Sequence, residues 1–252
     1  MLNNIESFHV VGRDNQISYL MNNIFGLREE ELMTADVLLF SGGEDIDPRL
    51  YGEKRLQGTY SDIGRDKFEV EAYYAGIDRK VPMIGICRGA QLLHALNGNK
   101  LWQDVSGHAT RKGQHQTLDL ATGLWHVTTS CHHQMMRVDD INDPQNNFRI
   151  VAIAAEATYR QSAEGIVFAD PKRKMGSSVQ TLKTFRNDIE VLWYPETDTL
   201  CYQGHPEYLV KICTNYFRLL LERFKFIAPE RSNYARTRIF KQEDAKIGVN
   251  AH

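Results

Sequence analysis

The chain has 252 residues, a formal net charge of −2 and 42% apolar residues. That length fits one large domain with a sizeable core, and the near-neutral charge gives no reason to expect a nucleic acid or an anionic membrane as partner. There is no basic-then-apolar leader, no run long enough to span a bilayer and no C-x-x-C pair among Cys87, Cys131, Cys201 and Cys213, so free thiols in a cytoplasmic, reducing compartment are expected.

In chain order, apolar residues 8–11 predict a first strand, and Ile17, Leu20, Met21 and Ile24 predict a helix over 15–25. Residues 37–40 form a continuous apolar strand signal that ends at Gly42-Gly43. A helix is predicted over 67–77, then a buried strand over 81–86 and a helix from Arg88 to Leu96. Later strands are expected at 126–130, 148–154, 189–194 and 200–203, the last two joined as a hairpin, with a closing helix over 209–226. Alternating strands and helices imply an α/β fold whose parallel sheet is covered on both faces. The passage from the first strand to Asp36 is short; against the family that the motifs below resemble, this implies a lost or shortened strand. A single domain is expected over 1–227, with the polar stretch 156–187 as a surface flap and 228–252 as a tail.

The chemistry concentrates at Gly85-Ile86-Cys87-Arg88-Gly89. A strand-to-helix turn of the form G-x-nucleophile-x-G lifts one reactive side chain out of the backbone. At a helix N-terminus the dipole and unpaired N–H groups favour a thiolate. A buried core cysteine is the alternative for this pentapeptide alone. Near the C-terminal end stands Gly204-His205-Pro206-Glu207. A nucleophilic cysteine needs a base, and the base needs a group that fixes its tautomer. Cys87, His205 and Glu207 are the candidates for those three roles.

With these motifs the sequence resembles the class I glutamine amidotransferase-like superfamily, and within it the branch of γ-glutamyl hydrolases that cleave γ-glutamyl-γ-aminobutyrate. The resemblance is carried by Asp36 to Gly43 with Asp45 and Asp47-Pro48, by Tyr51-Gly52-Glu53, and by the R-D-x-F-E signature Arg65 to Glu69. It continues through the elbow, Leu101 to Asp104, the S-x-H-H-Q signature Ser130 to Gln134, and the H-P-E ending. It implies a three-layer α/β sandwich of flavodoxin-like type, with a mostly parallel central sheet and helices on both faces. It implies a Cys87-His205-Glu207 triad and an oxyanion hole from the backbone N–H groups of Gly43 and Arg88.

The same resemblance places Gln91, His132 and His133 at the substrate, a small γ-glutamyl molecule. By residue reading alone, Gln91 could equally be an exposed helix glutamine and the histidine pair a structural site. Arg65, Asp66 and Glu69 shape the leaving-group side or make a solvated helix start. A zinc site from Cys131, His132, His133, His126 and His115 is disfavoured, because adjacent strand histidines point to opposite faces and the ligand spacings are absent. No cofactor and no metal are expected. The expected reaction is hydrolysis of a γ-glutamyl amide through a thioester. The alternatives are a glutaminase component feeding ammonia to a synthetase on a partner chain and, less favoured, an inactive binding protein. A homo-oligomer is also compatible with the sequence.

Overall fold

The computed structural model describes residues 5–12, 14–106, 108, 113–140, 143–155, 159–167, 188–208 and 211–229. The first strand, β1 (Ser7–Val11), leads to a short helix, α1 (Asn15–Tyr19). The Asp14 side chain caps α1 by accepting from the N–H groups of Gln16 and Ile17, and the helix runs on as a π-type turn over Leu20–Ile24. Then come β2 (Arg28–Glu29), β3 (Val37–Phe40), α2 (Ile63–Arg79), β4 (Met83–Ile86) and α3 (Arg88–Leu96). A run of short strands follows: β5 (Leu101–Trp102), β6 (Asp104–Ser106), β7 (Gln114–Asp119), β8 (Trp125–Thr129) and β9 (Met135–Met136). The remaining elements are β10 (Arg149–Ala154), β11 (Tyr159–Ser162), β12 (Gly165–Val167), β13 (Ile189–Tyr194), β14 (Thr199–Tyr202) and α4 (Lys211–Arg223).

The main sheet has the order β2-β1-β3-β4-β14-β13-β10-β7-β8. From β2 to β14 every pairing is parallel, and from β14 outward every pairing is antiparallel. The sheet is therefore mixed rather than mostly parallel. The reason is connection length: the short turns β7–β8 and β13–β14 can join only antiparallel neighbours, whereas parallel ones need a crossover such as α2. The strand expected to be lost or shortened survives as the two residues of β2 at the sheet edge.

Alternation along the parallel strands sorts side chains to two faces. Leu38, Phe40, Met83 and Cys201 join Ala72 and Tyr73 of α2 and Leu92 and Leu93 of α3 in one apolar cluster. Val37, Leu39, Ile84, Ile86, Leu200 and Tyr202 join Ile17 of α1 and Tyr216, Phe217 and Leu220 of α4 in another. Each such side chain, fully buried, contributes about 1.5–3 kcal/mol. Sheet and helix layers thus hold the ends of β3, β4 and β14 side by side.

Part of the stretch expected to be a flap is built into the fold. Strands β11 and β12 pair with each other, and β11 pairs with β6. Arg160 of β11 is buried over the Trp102 ring and bonds Asp188 at 2.5 Å. Glu164, in the β11–β12 turn, reaches Lys100 at 2.8 Å and Arg137 at 3.0 Å. The remainder of the 156–187 stretch, and the tail beyond residue 229, lie outside the described residues. Among the described residues no helix is long and apolar enough to cross a membrane.

Candidate active site

Cys87 sits between β4 and α3 with φ 50° and ψ −109°, a backbone conformation that costs a non-glycine residue about 1–3 kcal/mol. Three backbone features hold it there. Its N–H donates to Tyr202 O at 2.8 Å, its carbonyl accepts from Gln91 N at 3.1 Å, and β4 pairs in register with β14 through Ile86 and Tyr202. Both flanking glycines are required by close approach. A Cβ on Gly85 would lie 2.5 Å from Ala90 N, and one on Gly89 would lie 2.1 Å from Phe40 O.

His205 follows β14, with its N–H donating to Thr129 Oγ1. Its Nδ1 is 2.5 Å from Glu207 Oε1, and its ring stacks on Tyr208 at 4.5 Å. The imidazole lies beside the thiols of Cys87 and Cys131. Burial works against the charged ring, but the neighbouring Cys131, Cys87 and Glu207 outweigh it and raise its pKa above the ordinary histidine value. An imidazolium beside a cysteine is the arrangement that favours a thiolate. All three candidate side chains are buried, Cys87 at 6%, His205 at 8% and Glu207 at 3% exposure.

The glycine turn after β3 closes over this group. A Cβ on Gly42 would come within 2.8 Å of His205 Cε1 and 3.7 Å of Cys87 Cβ. Gly43 has φ 143°, and a Cβ there would meet Arg65 Nη1 at 2.2 Å. Arg65 Nη2 donates to Gly42 O at 2.8 Å and to Ser41 Oγ at 3.1 Å, while its Nε donates to Glu69 Oε1 at 2.7 Å. The other Glu69 oxygen pairs with Arg88 Nη1, and Arg88 Nη2 bonds Asp66 Oδ1 at 2.5 Å. Asp66 also accepts from Asp47 N at 2.9 Å. Asp66 and Glu69 are therefore neither a solvated helix start nor a leaving-group surface; both are buried against Arg88, behind the elbow.

Gln91 is 3% exposed, so it is no surface glutamine, and its Nε2 donates to Gln134 O at 2.7 Å. The same carbonyl accepts from His132 Nδ1 at 2.9 Å. His132 is buried, which pushes its pKa down to about 3, whereas His133 is exposed and bonds Asp45 Oδ1 at 3.0 Å. The pair does diverge to two sides. The five residues of the disfavoured zinc set part company: Cys131 lies at His205, His133 at Asp45, and His126 stacks on Tyr216, whereas His115 and His132 both pack against His108. Cys201 and Cys213 are core residues. Sequence reasoning missed Cys131, at the variable position of S-x-H-H-Q, and Gln203, whose Nε2 is 4.0 Å from Cys87 Sγ.

Known proteins bear on this geometry. The family described as Peptidase C26 matches residues 27–167, more than half of the chain. A glutamine amidotransferase-like protein of Lactococcus lactis subsp. cremoris, a YvdE homolog, is 41% identical over 30% of this chain and 40% of its own length. A Mycobacterium tuberculosis protein named as a glutamine amidotransferase is 37% identical over 29% of this chain and 25% of its own length. The chain thus spans 40% or less of the curated relatives it matches. Among solved structures, a glutamine amidotransferase from Thermotoga maritima aligns over 88% of this chain and 86% of its own, with TM-score 0.51 and 12% identity. The acivicin-bound glutaminase domain of Trypanosoma brucei CTPS aligns over 87% and 94%, with TM-score 0.50 and 13% identity. At such identity the likeness is one of fold, an α/β sandwich. With the family match covering the elbow, the glycine turn and the R-D-x-F-E helix, the chain belongs to the peptidase C26 family.

Proposed function

We propose that the protein is a cysteine-dependent amidohydrolase that cleaves a γ-glutamyl amide and releases glutamate and an amine. The observation that carries this reading is the strained Cys87 elbow, which shares the Gly42 turn with a His205 imidazole whose Nδ1 is held by Glu207 at 2.5 Å. The Cys87 thiolate attacks the γ-carbonyl, and the backbone N–H groups of Gly43 and Arg88 receive the developing oxyanion, each such donor being worth about 3 kcal/mol of barrier. His205 gives its proton to the departing amine, leaving a γ-glutamyl thioester. A water then gives a proton to His205 and attacks the thioester, and glutamate leaves as the thiol is restored. Glu207 orients the imidazole and stabilises its charged form. Gln91 and His132, joined at the Gln134 carbonyl, back the glutamyl side. The family match and the amidotransferase names of relatives support this class of chemistry.

The test is glutamate release by the purified chain from glutamine and from a panel of γ-glutamyl amines, with Cys87→Ala as control. Turnover of one γ-glutamyl amine that is lost in Cys87→Ala supports the hydrolase. Slow release from glutamine alone would replace it with an ammonia donor that requires a synthetase partner chain. Full activity in Cys87→Ala would overturn the mechanism.

A further inference from the structure

Four side chains that the proposed chemistry leaves without a proton-transfer role meet in one cluster. They are His108, His115 of β7, His132 and Glu190 of β13. His108 is 4% exposed, His132 7% and Glu190 0%. The His108 ring centre is 4.5 Å from that of His115 and 4.6 Å from that of His132. His108 Nε2 is 3.1 Å and His115 Nε2 3.0 Å from the same oxygen, Glu190 Oε1.

The outer contacts decide where the imidazole protons sit. His108 Nδ1 is 2.8 Å from Asp188 Oδ2, and a carboxylate oxygen can only accept, so Nδ1 carries a proton. His132 Nδ1 is 2.9 Å from the Gln134 carbonyl, so it too must donate. In the neutral rings both Nε2 atoms are then lone pairs. Among the described residues, His108 Nε2 faces the Glu190 carboxylate without a hydrogen bond, and His132 Nε2 has no hydrogen-bond partner. Glu190 Oε1 is likewise buried without a hydrogen bond of acceptable geometry. Electron pairs converging in a buried site are costly unless a cation lies between them. A proton on His108 relieves one contact; a single divalent ion relieves them together.

We infer that His108, His115 and Glu190 form a three-residue binding site for one divalent transition-metal ion of the zinc class. The three ligand atoms of His108, His115 and Glu190 lie within 4.8 Å of one another. Tetrahedral ligands at about 2.0–2.2 Å from zinc are separated by about 3.3 Å, close to the two contacts at Glu190. The donor set is imidazole and carboxylate without thiolate, which suits zinc and its first-row neighbours better than copper(I) or an iron–sulfur cluster. The Asp188 carboxylate on His108 Nδ1 is the outer contact that fixes a metal-binding histidine, and Arg160 in turn holds Asp188 at 2.5 Å.

The ion would tie together parts of the chain that are remote in sequence, His108, β7 and β13, with the His132 ring packed against that of His108. Ser130 Oγ already donates to His108 O at 2.6 Å. Through Gln134 O, which takes hydrogen bonds from both His132 and Gln91, the site also fixes a wall of the pocket beside Cys87. Its role is to hold that wall rather than to take part in bond breaking.

The test uses the untagged full-length chain. Metal content is measured by elemental mass spectrometry, and the metal-free protein is titrated with Zn²⁺ by calorimetry. Wild type and Cys87→Ala/Cys131→Ser are expected to bind a single equivalent, Glu190→Gln to lose it, and Asp188→Asn to bind about 10- to 100-fold more weakly. Because Glu190→Gln could also disturb the sheet, Co²⁺ is added to the wild type as a second readout. Ligand-field bands without a thiolate charge-transfer band are expected. No stoichiometric uptake by the wild type would overturn the site, as would uptake that disappears in Cys87→Ala/Cys131→Ser or a cobalt–thiolate band. Alkylation of Cys87 by iodoacetamide, followed on the same samples, reports separately on the proposed nucleophile.

Discussion

Glu69 and Arg88 form an ion pair closed off from solvent directly behind the Cys87 elbow. The other Glu69 oxygen holds Arg65, which lies over Gly43 and binds the Gly42 carbonyl. One carboxylate thereby joins the two backbone segments proposed to supply the oxyanion donors. Glu69→Gln is expected to lower kcat by about 10²- to 10³-fold, the range for a misplaced oxyanion donor, while KM changes far less. It should also cost about 3–5 kcal/mol of stability, because a buried charge loses its partner. Steady-state kinetics beside urea unfolding checks both. An unchanged kcat in folded Glu69→Gln would show that the link carries no catalytic consequence.

Glu207 is placed to hold His205 in one tautomer. Glu207→Gln is expected to reduce kcat by about 10³- to 10⁴-fold, the scale found when an orienting carboxylate becomes an amide. The measurement is single-turnover glutamate release. A loss below tenfold would argue that the stacked Tyr208 is enough to orient the ring.

The elbow glycines make a packing prediction. Gly89→Ala would drive a methyl group against the Phe40 backbone, which cannot move aside, and should cost about 3 kcal/mol or more. Gly98 has φ 89° and open space around its Cα, so Gly98→Ala should cost only the backbone strain, about 1–2 kcal/mol. Urea unfolding of the two variants gives the comparison, and equal losses would contradict it.

His94 sets a pH dependence. Burial pushes its pKa from 6.5 down to about 4, while its Nδ1 contacts Tyr194 Oη at 2.5 Å and its Nε2 contacts Arg137 O at 3.1 Å. As pH falls, the unfolded chain takes up this proton first. The stabilising contribution is therefore complete above about 6.5 and is lost on the way down through about 4. Between pH 7 and 5 the wild type should lose about 2 kcal/mol more than His94→Gln, compared by urea unfolding at both values. Parallel pH curves would place no titrating imidazole there.

The cysteines should separate by reactivity. Burial raises the Cys131 thiol, but its bonds to His205 and Tyr208 outweigh that and lower its pKa. Burial pushes Cys201 up and Cys213 up to about 11. Brief iodoacetamide treatment at neutral pH should label Cys87 and Cys131 and spare the other two. Cys131→Ser should leave one adduct, read by peptide mass spectrometry. Early labelling of Cys201 or Cys213 would contradict this order.

What the sequence made legible was local. The G-x-C-x-G turn and the H-P-E ending each carry their geometry within a few residues, and the long apolar strands announce themselves by composition. Strand β7 was missed because Gln114 to Asp119 offers one large apolar side chain, Leu118, and is buried instead through Thr117 and Asp119. The R-D-x-F-E helix was visible as a motif but misread, because the partner that buries Asp66 and Glu69 is Arg88, on the next helix. The gathering of His108 with Asp188 and Glu190 depends on strand order, which no spacing along the chain encodes.

The proposed nucleophile, Cys87, and its proposed base, His205, are brought side by side by the ladder between β4 and β14, elements separated by much of the chain. During synthesis the thiol of Cys87 is made long before His205 exists. Until β14 slots in beside β4, the growing polypeptide carries a cysteine with neither its proton acceptor nor the Tyr202 carbonyl that pins its backbone. Catalytic competence is then a late event of folding, acquired when the central ladder closes. On the proposed mechanism, a truncated translation product that ends before β14 would have no catalytic activity, whatever native-like structure its earlier elements had formed.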